Sequence, residues 1–239
     1  MNAQAVCKAD DVAQPQGSAR ITLASMALAL LPEGAVWGAD ARALIVGDLH
    51  LGKAAHFAAR GQMLPPQEAR ETLLRLTRLV DQHRPETLVL LGDSFHSKRG
   101  AAALDAGVMA ALNHLATRTR HLFITGNHDR DLPPLITGQS AATFALGDIT
   151  LRHEPFADGQ AEIVGHLHPS ARLKTAAGMV RRRCFVHTPH RLILPAFGSL
   201  TGSRDVSSPE FAPWLTEGGT AYLLAGGRVH AVNLAHLMH

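Results

Sequence analysis

Short apolar runs alternate with amphipathic stretches through the first half of the chain, beginning near Arg20. The runs have the length of β-strands, and a glycine and polar residues follow each of them; they cover residues 43–46, 87–91, 122–125 and 163–164. In segment 67–82, leucines recur at helical spacing between Pro65-Pro66 and Arg84-Pro85, which predicts a helix between the first two strands. A second helical pattern, carried by Leu104, Val108, Leu112 and Leu115, precedes the third strand. This order predicts parallel strands joined by right-handed crossovers.

After about residue 140 the pattern changes to short strand candidates separated by glycine and proline, at residues 148–152, 183–187, 191–194 and 221–224. A single α/β domain over residues 19–239, with a β-rich second half, is therefore expected. Residues 1–18 are polar and rich in Ala and Gln, which predicts a loose N-terminal arm.

Segment 21–31 is the only stretch that resembles the apolar core of a targeting signal. It is short, and Asp10 and Asp11 precede it where a targeting segment would carry basic residues, so an ordinary buried strand is the better interpretation. Nothing approaches the roughly 20 apolar residues that a membrane span needs, so no membrane association is expected.

Composition adds few constraints. The 239 residues are 46% hydrophobic and carry a formal net charge of +3, an excess that permits nucleic-acid binding without arguing for it. Cys7 and Cys184 are too few for a disulfide framework or a zinc ribbon, which favours a reduced, cytoplasmic compartment. The 15 histidines are unusual, and they matter because several follow a predicted strand.

Polar residues that can bind metals follow the predicted strands throughout the chain. In order they are Gly47-Asp48-Leu49-His50, Gly92-Asp93, Gly126-Asn127-His128-Asp129, His153, and Gly165-His166-Leu167-His168. The carboxyl ends of parallel strands meet at one edge of a sheet, where open α/β sheets bind ligands. These residues are therefore expected to converge although they lie more than a hundred positions apart.

The spacing of the pairs also has a physical meaning. Asp48 and His50 are two positions apart, as are His166 and His168, so an extended backbone would direct each pair to one side, while the glycines would let the chain turn sharply. The candidate ligands are Asp48, His50, Asp93, Asn127, His153, His166 and His168. Imidazole and hard oxygen ligands suit Mn, Fe or Zn, and so many ligands predict two ions bridged by Asp93.

Each motif has an ordinary structural explanation when taken alone. A Gly-Asp pair after a strand is typical of a helix N-cap, Gly-Asn-His-Asp is typical of a turn, and a single Asp-x-His or His-x-His motif is weak evidence. Five such motifs in this order, each after a predicted strand, favour the metal centre.

These motifs resemble those of the calcineurin-like metallophosphoesterase superfamily over roughly residues 43–168. The resemblance implies a four-layered α/β/β/α sandwich with the metals at the strand ends. It also implies that Asp48, His50, Asp93 and His168 hold one divalent ion, and that Asp93, Asn127, His153 and His166 hold the other. His128 would lie beside the metals and donate a proton to the phosphate or to the leaving oxygen.

A narrower resemblance concerns the substrate. Residues 31–37, Leu51-Gly52-Lys53, Phe95-His96-Ser97 and residues 194–198 make the chain similar to the bacterial DNA-ligase-associated metallophosphoesterases, the PdeM group. This implies a manganese-dependent DNA endonuclease or phosphodiesterase acting in DNA repair, encoded beside a ligase and a helicase. A functional association with such proteins is the partner that the resemblance suggests.

Several assignments stay open. Asp129 is expected either to orient His128 or to cap the next turn, and Lys53 and His96 either contact substrate phosphate or play a supporting role. The run Arg181-Arg182-Arg183 is interpreted as a DNA-backbone contact or a solvated basic turn. A small-molecule phosphoesterase and a non-catalytic scaffold are the alternative functions, and the oligomeric state is left open.

Overall fold

The computed structural model describes residues 14–131, 133–176 and 178–237. Residues 1–13 of the predicted arm lie outside this part of the chain, so the arm and the domain boundary after it stay predictions. The strands are β1 (Ala19–Leu23), β2 (Met26–Leu30), β3 (Val36–Gly38), β4 (Ala43–Gly47), β5 (Thr87–Leu91), β6 (Arg120–Ile124), β7 (Gln139–Ala141), β8 (Thr143–Leu146), β9 (Ile149–Arg152), β10 (Glu162–Val164), β11 (Pro169–Thr175), β12 (Gly178–His187), β13 (Arg191–Ile193), β14 (Arg204–Asp205), β15 (Thr220–Ala225) and β16 (Arg228–Asn233). The helices are α1 (Lys53–Ala58), α2 (Glu68–His83), α3 (Lys98–Ala102) and α4 (Ala106–Leu115), with 3₁₀ helices at Pro209–Trp214 and Leu234–His236.

The first sheet has seven strands in chain order, from β1 to β7. β1 to β4 are antiparallel neighbours, whereas β4, β5, β6 and β7 run parallel. The predicted parallel strands are therefore confirmed, with α2 between β4 and β5 and α4 between β5 and β6. The parallel core places the carboxyl ends of β4, β5 and β6 side by side.

The prediction of one strand over residues 21–31 is wrong. The segment contributes parts of two antiparallel strands, β1 and β2, which pair from Ala19 with Leu30 to Leu23 with Met26. Ala24 takes a left-handed conformation with φ 49° in the turn between them. Ser25 is the turn-favouring residue at this point, and no glycine, proline or asparagine marks the turn more strongly.

The second sheet has nine strands. Its main path runs β14-β11-β12-β13-β10-β9-β8, and β15 pairs with both β12 and β16. β9, β10 and β13 are parallel neighbours, so the carboxyl ends of β9 and β10 also lie side by side. The β-rich second half predicted from the sequence is confirmed.

Three apolar cores define the layers. One lies between the helices and the first sheet, and includes Leu73 and Leu76 of α2. A second lies between the sheets, where Ile45 and Val89 of the first pack with Ile163 of the second. The third covers the outer face of the second sheet and includes Phe211 of a 3₁₀ helix. The α/β prediction of two stacked sheets in one domain is confirmed, and the outer layer of the second sheet is built from 3₁₀ helices and extended segments.

α2 illustrates how the sequence sets an element. The helix buries Leu73, Leu76, Leu79 and Val80 against the first sheet, as the helical spacing predicts. The helix ends at His83 because Arg84 adopts a left-handed conformation with φ 48°, and the following Pro85 disfavours helical backbone in the residue before it. In the described part of the chain, no helix is long and apolar enough to span a membrane.

Candidate metal centre

The predicted ligands lie on loops at the carboxyl ends of five strands from both sheets. In chain order they are Asp48 and His50 after β4, Asp93 after β5, Asn127 after β6, His153 after β9, and His166 and His168 after β10. The structure brings all of them to one edge of the sandwich. Donor atoms from different loops lie close together. His50 Nε2 is 3.7 Å from Asp93 Oδ2, and His168 Nε2 is 2.9 Å from Asp48 Oδ1.

Five of these residues have a left-handed backbone: Asp48 (φ 56°), His50 (φ 47°), Asp93 (φ 45°), His166 (φ 63°) and His168 (φ 47°). The prediction that the two-residue spacing reflects an extended backbone is therefore wrong. A left-handed conformation costs a residue with a Cβ about 1–2 kcal/mol, so the loops store strain where the ligands converge. Hydrogen bonds between the two first-sheet loops hold this backbone, from Asp48 N to Gly92 O (3.2 Å) and from His50 N to Asp93 O (2.9 Å).

The glycines of the motifs allow ligands to approach the backbone closely. A Cβ on Gly92 would lie 2.0 Å from His153 Nδ1, and one on Gly165 would lie 2.5 Å from Asp48 Oδ2. Gly92 also has φ 73°, which matches the expected sharp turn, whereas Gly165 is outside the left-handed region. At Gly165 the absent side chain therefore provides space for the Asp48 carboxylate.

The first half of the centre consists of Asp48, His50 and His168, which each offer a donor atom within 4.8 Å of the others. His50 Nε2 and His168 Nε2 are buried, and neither has a hydrogen-bond partner in the described part of the chain. The 2.9 Å approach of His168 Nε2 to Asp48 Oδ1 is thus short but lacks hydrogen-bond angles. An unsatisfied buried polar group costs about 1–3 kcal/mol, which a shared cation would relieve. The donor set fits a divalent metal.

The second half consists of Asn127, His153 and His166. The side-chain oxygen of Asn127 lies 3.1 Å from His153 Nε2 and 3.2 Å from His166 Nδ1. The Asp93 carboxylate lies between the two halves, with Oδ2 at 3.7 Å from His50 Nε2 and 3.5 Å from His153 Nε2. This position suits a carboxylate shared by two ions.

Burial and charge set the protonation of these groups. Burial lowers the pKa of His50 to about 3, so its ring is neutral, as a ligand must be. Burial also opposes charge on His153, but its hydrogen bond to Asp93 and the charges of Asp48 and Asp93 prevail and raise its pKa to about 9. The same pairing overcomes burial at Asp93 and lowers its pKa to about 2. A cation bound at Asp93 would compete with this proton.

His128 lies beside the centre with a defined ring orientation. Its Nδ1–H donates to the carbonyl oxygen of His96 (3.0 Å), and its backbone N–H donates to Asp93 Oδ1 (2.9 Å). Because a carbonyl only accepts, the proton belongs on Nδ1, and Nε2 is left 3.9 Å from Asp93 Oδ2. The side chain is 40% exposed, so Nε2 is accessible to a bound molecule.

Asp129 supports the loops and does not orient His128. Its carboxylate accepts hydrogen bonds from the backbone N–H groups of Asp93, Phe95 and Gly126, each at 3.1 Å. The carboxylate thus closes the preceding turn at Gly126, whereas the predicted cap was on the following turn, and it also ties the preceding turn to the loop after β5. Burial raises the pKa of Asp129 to about 6.

The two predicted substrate contacts have different surroundings. His96 joins the centre, since its Nδ1 lies 3.5 Å from His50 Nδ1 and its ring stacks on His128 with centroids 5.3 Å apart. Lys53 points elsewhere, because its ammonium donates to the carbonyl oxygen of Leu200 (3.1 Å). Burial lowers the pKa of Lys53, against the attraction of Glu68.

Two residues for which no role is predicted support this side of the centre. The ring of Phe57 stacks on His96, with centroids 5.7 Å apart and an interplanar angle of 30°. Buried Glu68 accepts a hydrogen bond from Ala54 N (3.2 Å) and so ties the start of α1, which carries Phe57, to α2. Nothing in the spacing of these residues signals the contacts, because the contacts depend on how α1 packs.

Comparisons with known proteins agree with this geometry. Among solved structures, the chain is similar to a nuclease of Pseudomonas putida called MPE, with 30% identity and a TM-score of 0.71 over 90% of this chain and 100% of that one. A phosphoesterase of E. coli, Yfce, shares 14% identity over 80% of this chain and 97% of that one, and its TM-score of 0.42 supports no argument. No curated protein matches the chain.

The family comparison covers most of the chain. The calcineurin-like phosphoesterase family matches residues 41–226, a range that contains every predicted ligand. Proteins of this family use divalent metal ions to hydrolyse phosphoric esters. The clusters of His and Asp side chains in this chain agree with that activity. The chain therefore belongs to the calcineurin-like phosphoesterase family.

Proposed function

We propose that the protein is a two-metal-dependent phosphodiesterase that hydrolyses DNA phosphodiester bonds, with endonuclease activity. The convergence of the predicted ligands on one sheet edge, beside an exposed histidine, is the observation that carries this proposal. Similarity to a nuclease over 90% of the chain supports nucleic acid as the substrate.

In this proposal Asp48, His50, Asp93 and His168 hold one divalent ion, and Asp93, Asn127, His153 and His166 hold the other. The buried, unpartnered ring nitrogens and the position of Asp93 between the two halves support this division. Two ions in such a site supply Lewis acidity that activates water and offsets charge on the phosphoryl oxygens. Mixed nitrogen and oxygen donors favour manganese, with Fe or Zn as further candidates.

His128 is the proposed general acid. Its Nδ1–H stays engaged with the His96 carbonyl, so the acid form is the imidazolium, which carries a second proton on Nε2. Transfer of that Nε2 proton to the leaving oxygen returns the ring to the neutral Nδ1–H form. The stacked ring of His96 and the hydrogen bond to Asp93 limit the orientations that His128 can adopt. A positioned acid of this kind contributes about 10²–10⁴-fold to rate.

The centre opens onto space in which a substrate can lie. A cavity of about 440 Å³ adjoins Asn127 and His153 and is lined by Arg130, by Glu154 and by Arg152, whose guanidinium pairs with Asp158 and Glu162. We assign His96 a contact with substrate phosphate, because it borders the exposed face of His128. Lys53 is the weaker candidate, since its ammonium already binds Leu200 O.

A role in DNA repair, a cytoplasmic location and an association with a DNA ligase and a helicase complete the proposal. The resemblance to the ligase-associated group supports these, and they stay predictions. The ligase association is testable by co-purification of the protein with such partners from cells that encode them.

The test of the activity is incubation of the purified protein and manganese with circular single-stranded DNA, with cyclic nucleotides in parallel. Conversion of the circles to linear and shorter products is expected. Intact circles together with cleaved cyclic nucleotides would replace the proposal with a small-molecule phosphoesterase.

Two variants separate an enzyme from a non-catalytic scaffold. Asp93→Asn and His128→Ala should abolish or strongly reduce cleavage while circular dichroism and melting remain those of a folded protein. His190→Ala is the matched control, because His190 is 56% exposed and lies outside the centre. Undiminished turnover in both site variants would refute the assigned roles.

A further inference from the structure

A basic β-ribbon extends directly from the candidate metal centre. Strand β11 begins at Pro169, the residue after His168, and pairs with β12 in an antiparallel register. Directly opposite residues share a face of such a ribbon, and each strand alternates between faces. The register therefore decides which side chains project together.

Most of the positively charged side chains of this ribbon project from one face, which we call the basic face. Its paired residues are Ser170 with Arg183, Arg172 with Arg181, and Lys174 with Met179. Arg172, Lys174 and Arg181 are exposed, and Met179 is 64% exposed near the tip. The arginine run at 181–183 thus belongs to a strand and not to the solvated turn considered from the sequence.

Partial neutralisation leaves this face cationic. Arg172 Nε lies 3.0 Å from Asp205 Oδ2, which offsets one charge. Arg181 donates only to neutral oxygens, those of Ser170 Oγ and Ser203 O. Lys174 has no ion-pair or hydrogen-bond partner among the residues that the structure describes. Two exposed positive charges are therefore uncompensated.

The inner end of the basic face reaches the loops that hold the ligands. Half-buried Arg183 donates to Ala196 O (2.6 Å), and the next residue, Phe197, donates from its N–H to Gly47 O (2.8 Å). Gly47 directly precedes Asp48. The positively charged side chains therefore extend from the tip of the ribbon to Arg183. The hydrogen bonds of residues 196–197 connect Arg183 to the loop that carries Asp48.

We propose that the basic face of the β11–β12 ribbon binds the sugar–phosphate backbone of the nucleic acid and guides the strand into the metal centre. The inference rests on the proposed DNA substrate. Lys174 lies six positions after His168, so the strand between them spans about 20 Å at roughly 3.3 Å per residue. That length lets the basic face contact several consecutive phosphates of one strand. The contacts are with phosphate and carry no base specificity.

The test compares Lys174→Gln/Arg181→Gln, which removes the two uncompensated charges, with Arg182→Gln/Arg228→Gln. The control removes the same charge from exposed positions off the basic face, because Arg182 pairs with Ala171 on the opposite face and Arg228 lies on β16. KM for a fluorescent single-stranded oligodeoxynucleotide is measured between 50 and 200 mM NaCl with manganese. Hydrolysis of bis(4-nitrophenyl) phosphate, which is too small to reach the ribbon, is measured alongside.

Loss of two phosphate contacts should make the negative slope of log(1/KM) against log[salt] shallower by about 1.4, at about 0.7 per contact on a single strand. The ratio of DNA to bis(4-nitrophenyl) phosphate hydrolysis at low substrate should fall about tenfold or more in the ribbon variant, and the control should keep the wild-type slope and ratio. An unchanged slope in the ribbon variant, or an equal loss in the control, overturns the ribbon assignment alone. A wild-type protein that cleaves only small diesters overturns the DNA substrate, and the ribbon proposal with it.

Discussion

Replacing Gly92 with alanine tests whether the motif glycines exist to let ligands approach the backbone. The new Cβ would lie 2.0 Å from His153 Nδ1, 2.3 Å from its Cγ and 2.6 Å from its Cβ. An ordinary contact begins near 3.4 Å, so the buried ring has to retreat by about 1.4 Å. A displacement of roughly 1 Å in a catalytic arrangement can cost about 10²-fold in rate.

The matched control is Gly159→Ala. Both glycines have φ 73°, but nothing lies within 4 Å of a Cβ on Gly159. The left-handed backbone alone should cost the control about 1–2 kcal/mol of unfolding free energy. Overpacking against His153 should add about 1–3 kcal/mol in Gly92→Ala, so the difference between the variants isolates the ring contact.

Urea unfolding followed by circular dichroism, in the presence of a chelator, gives the two free energies. Hydrolysis of bis(4-nitrophenyl) phosphate with manganese gives the rates, and Gly92→Ala should lose about 10²-fold in kcat/KM while Gly159→Ala stays within about twofold of wild type. Equal stabilities together with full activity of Gly92→Ala would refute the close-approach explanation.

Three further predictions follow from the same structure. Chelation should abolish activity, and manganese at about 100 times its Kd should add roughly 2.7 kcal/mol of stability, seen as a higher Tm; an unchanged Tm would contradict metal binding by the folded state. Burial lowers the pKa of His121 to about 4 in the folded protein from 6.5, so its contribution is intact above pH 6.5 and is lost as the pH falls toward 4. His121→Leu should therefore reduce the loss of unfolding free energy between those pH values by about 3 kcal/mol, and parallel curves for both proteins would argue against this. Arg75 donates to Phe197 O and stacks on its ring at 4.5 Å, so Arg75→Ala should cost about 1.5–3 kcal/mol, whereas exposed Arg78→Ala should stay within about 0.5 kcal/mol; equal effects would rule out the role of this contact.

The parts of the centre that depend on strand order could be predicted from the sequence. Asp48, Asp93 and Asn127 follow strands whose parallel arrangement is set by helical crossovers, so their convergence follows from topology. His153 and His166 belong to the second sheet, where the parallel strands β9 and β10 bring them to one edge. That this edge meets the ligands of the first sheet depends on how the two sheets pack. The family comparison agrees with these motifs.

The local conformation of the centre could not be predicted in this way. Left-handed backbone at His50 and His168 could not be predicted from residue type, since only a small share of histidines adopt it and tertiary contacts impose it here. The target of Asp129 depends on how two loops pack, and the stacking of Phe57 on His96 depends on the placement of α1. Such contacts are set by packing between segments distant in sequence, which a local pattern does not encode.

The division of the ligands between the two sheets has a consequence for folding kinetics. Asp48 and His168 are 120 positions apart, so bringing them together costs roughly 4 kcal/mol of loop-closure entropy before the ligand set is complete. The binding site is complete only when the sheets have docked, so we expect it to form late on the folding pathway. A metal bound there is expected to slow unfolding while leaving the folding rate nearly unchanged, in the manner of an interaction absent from the transition state. A bound ion would thus slow the separation of the two sheets during unfolding.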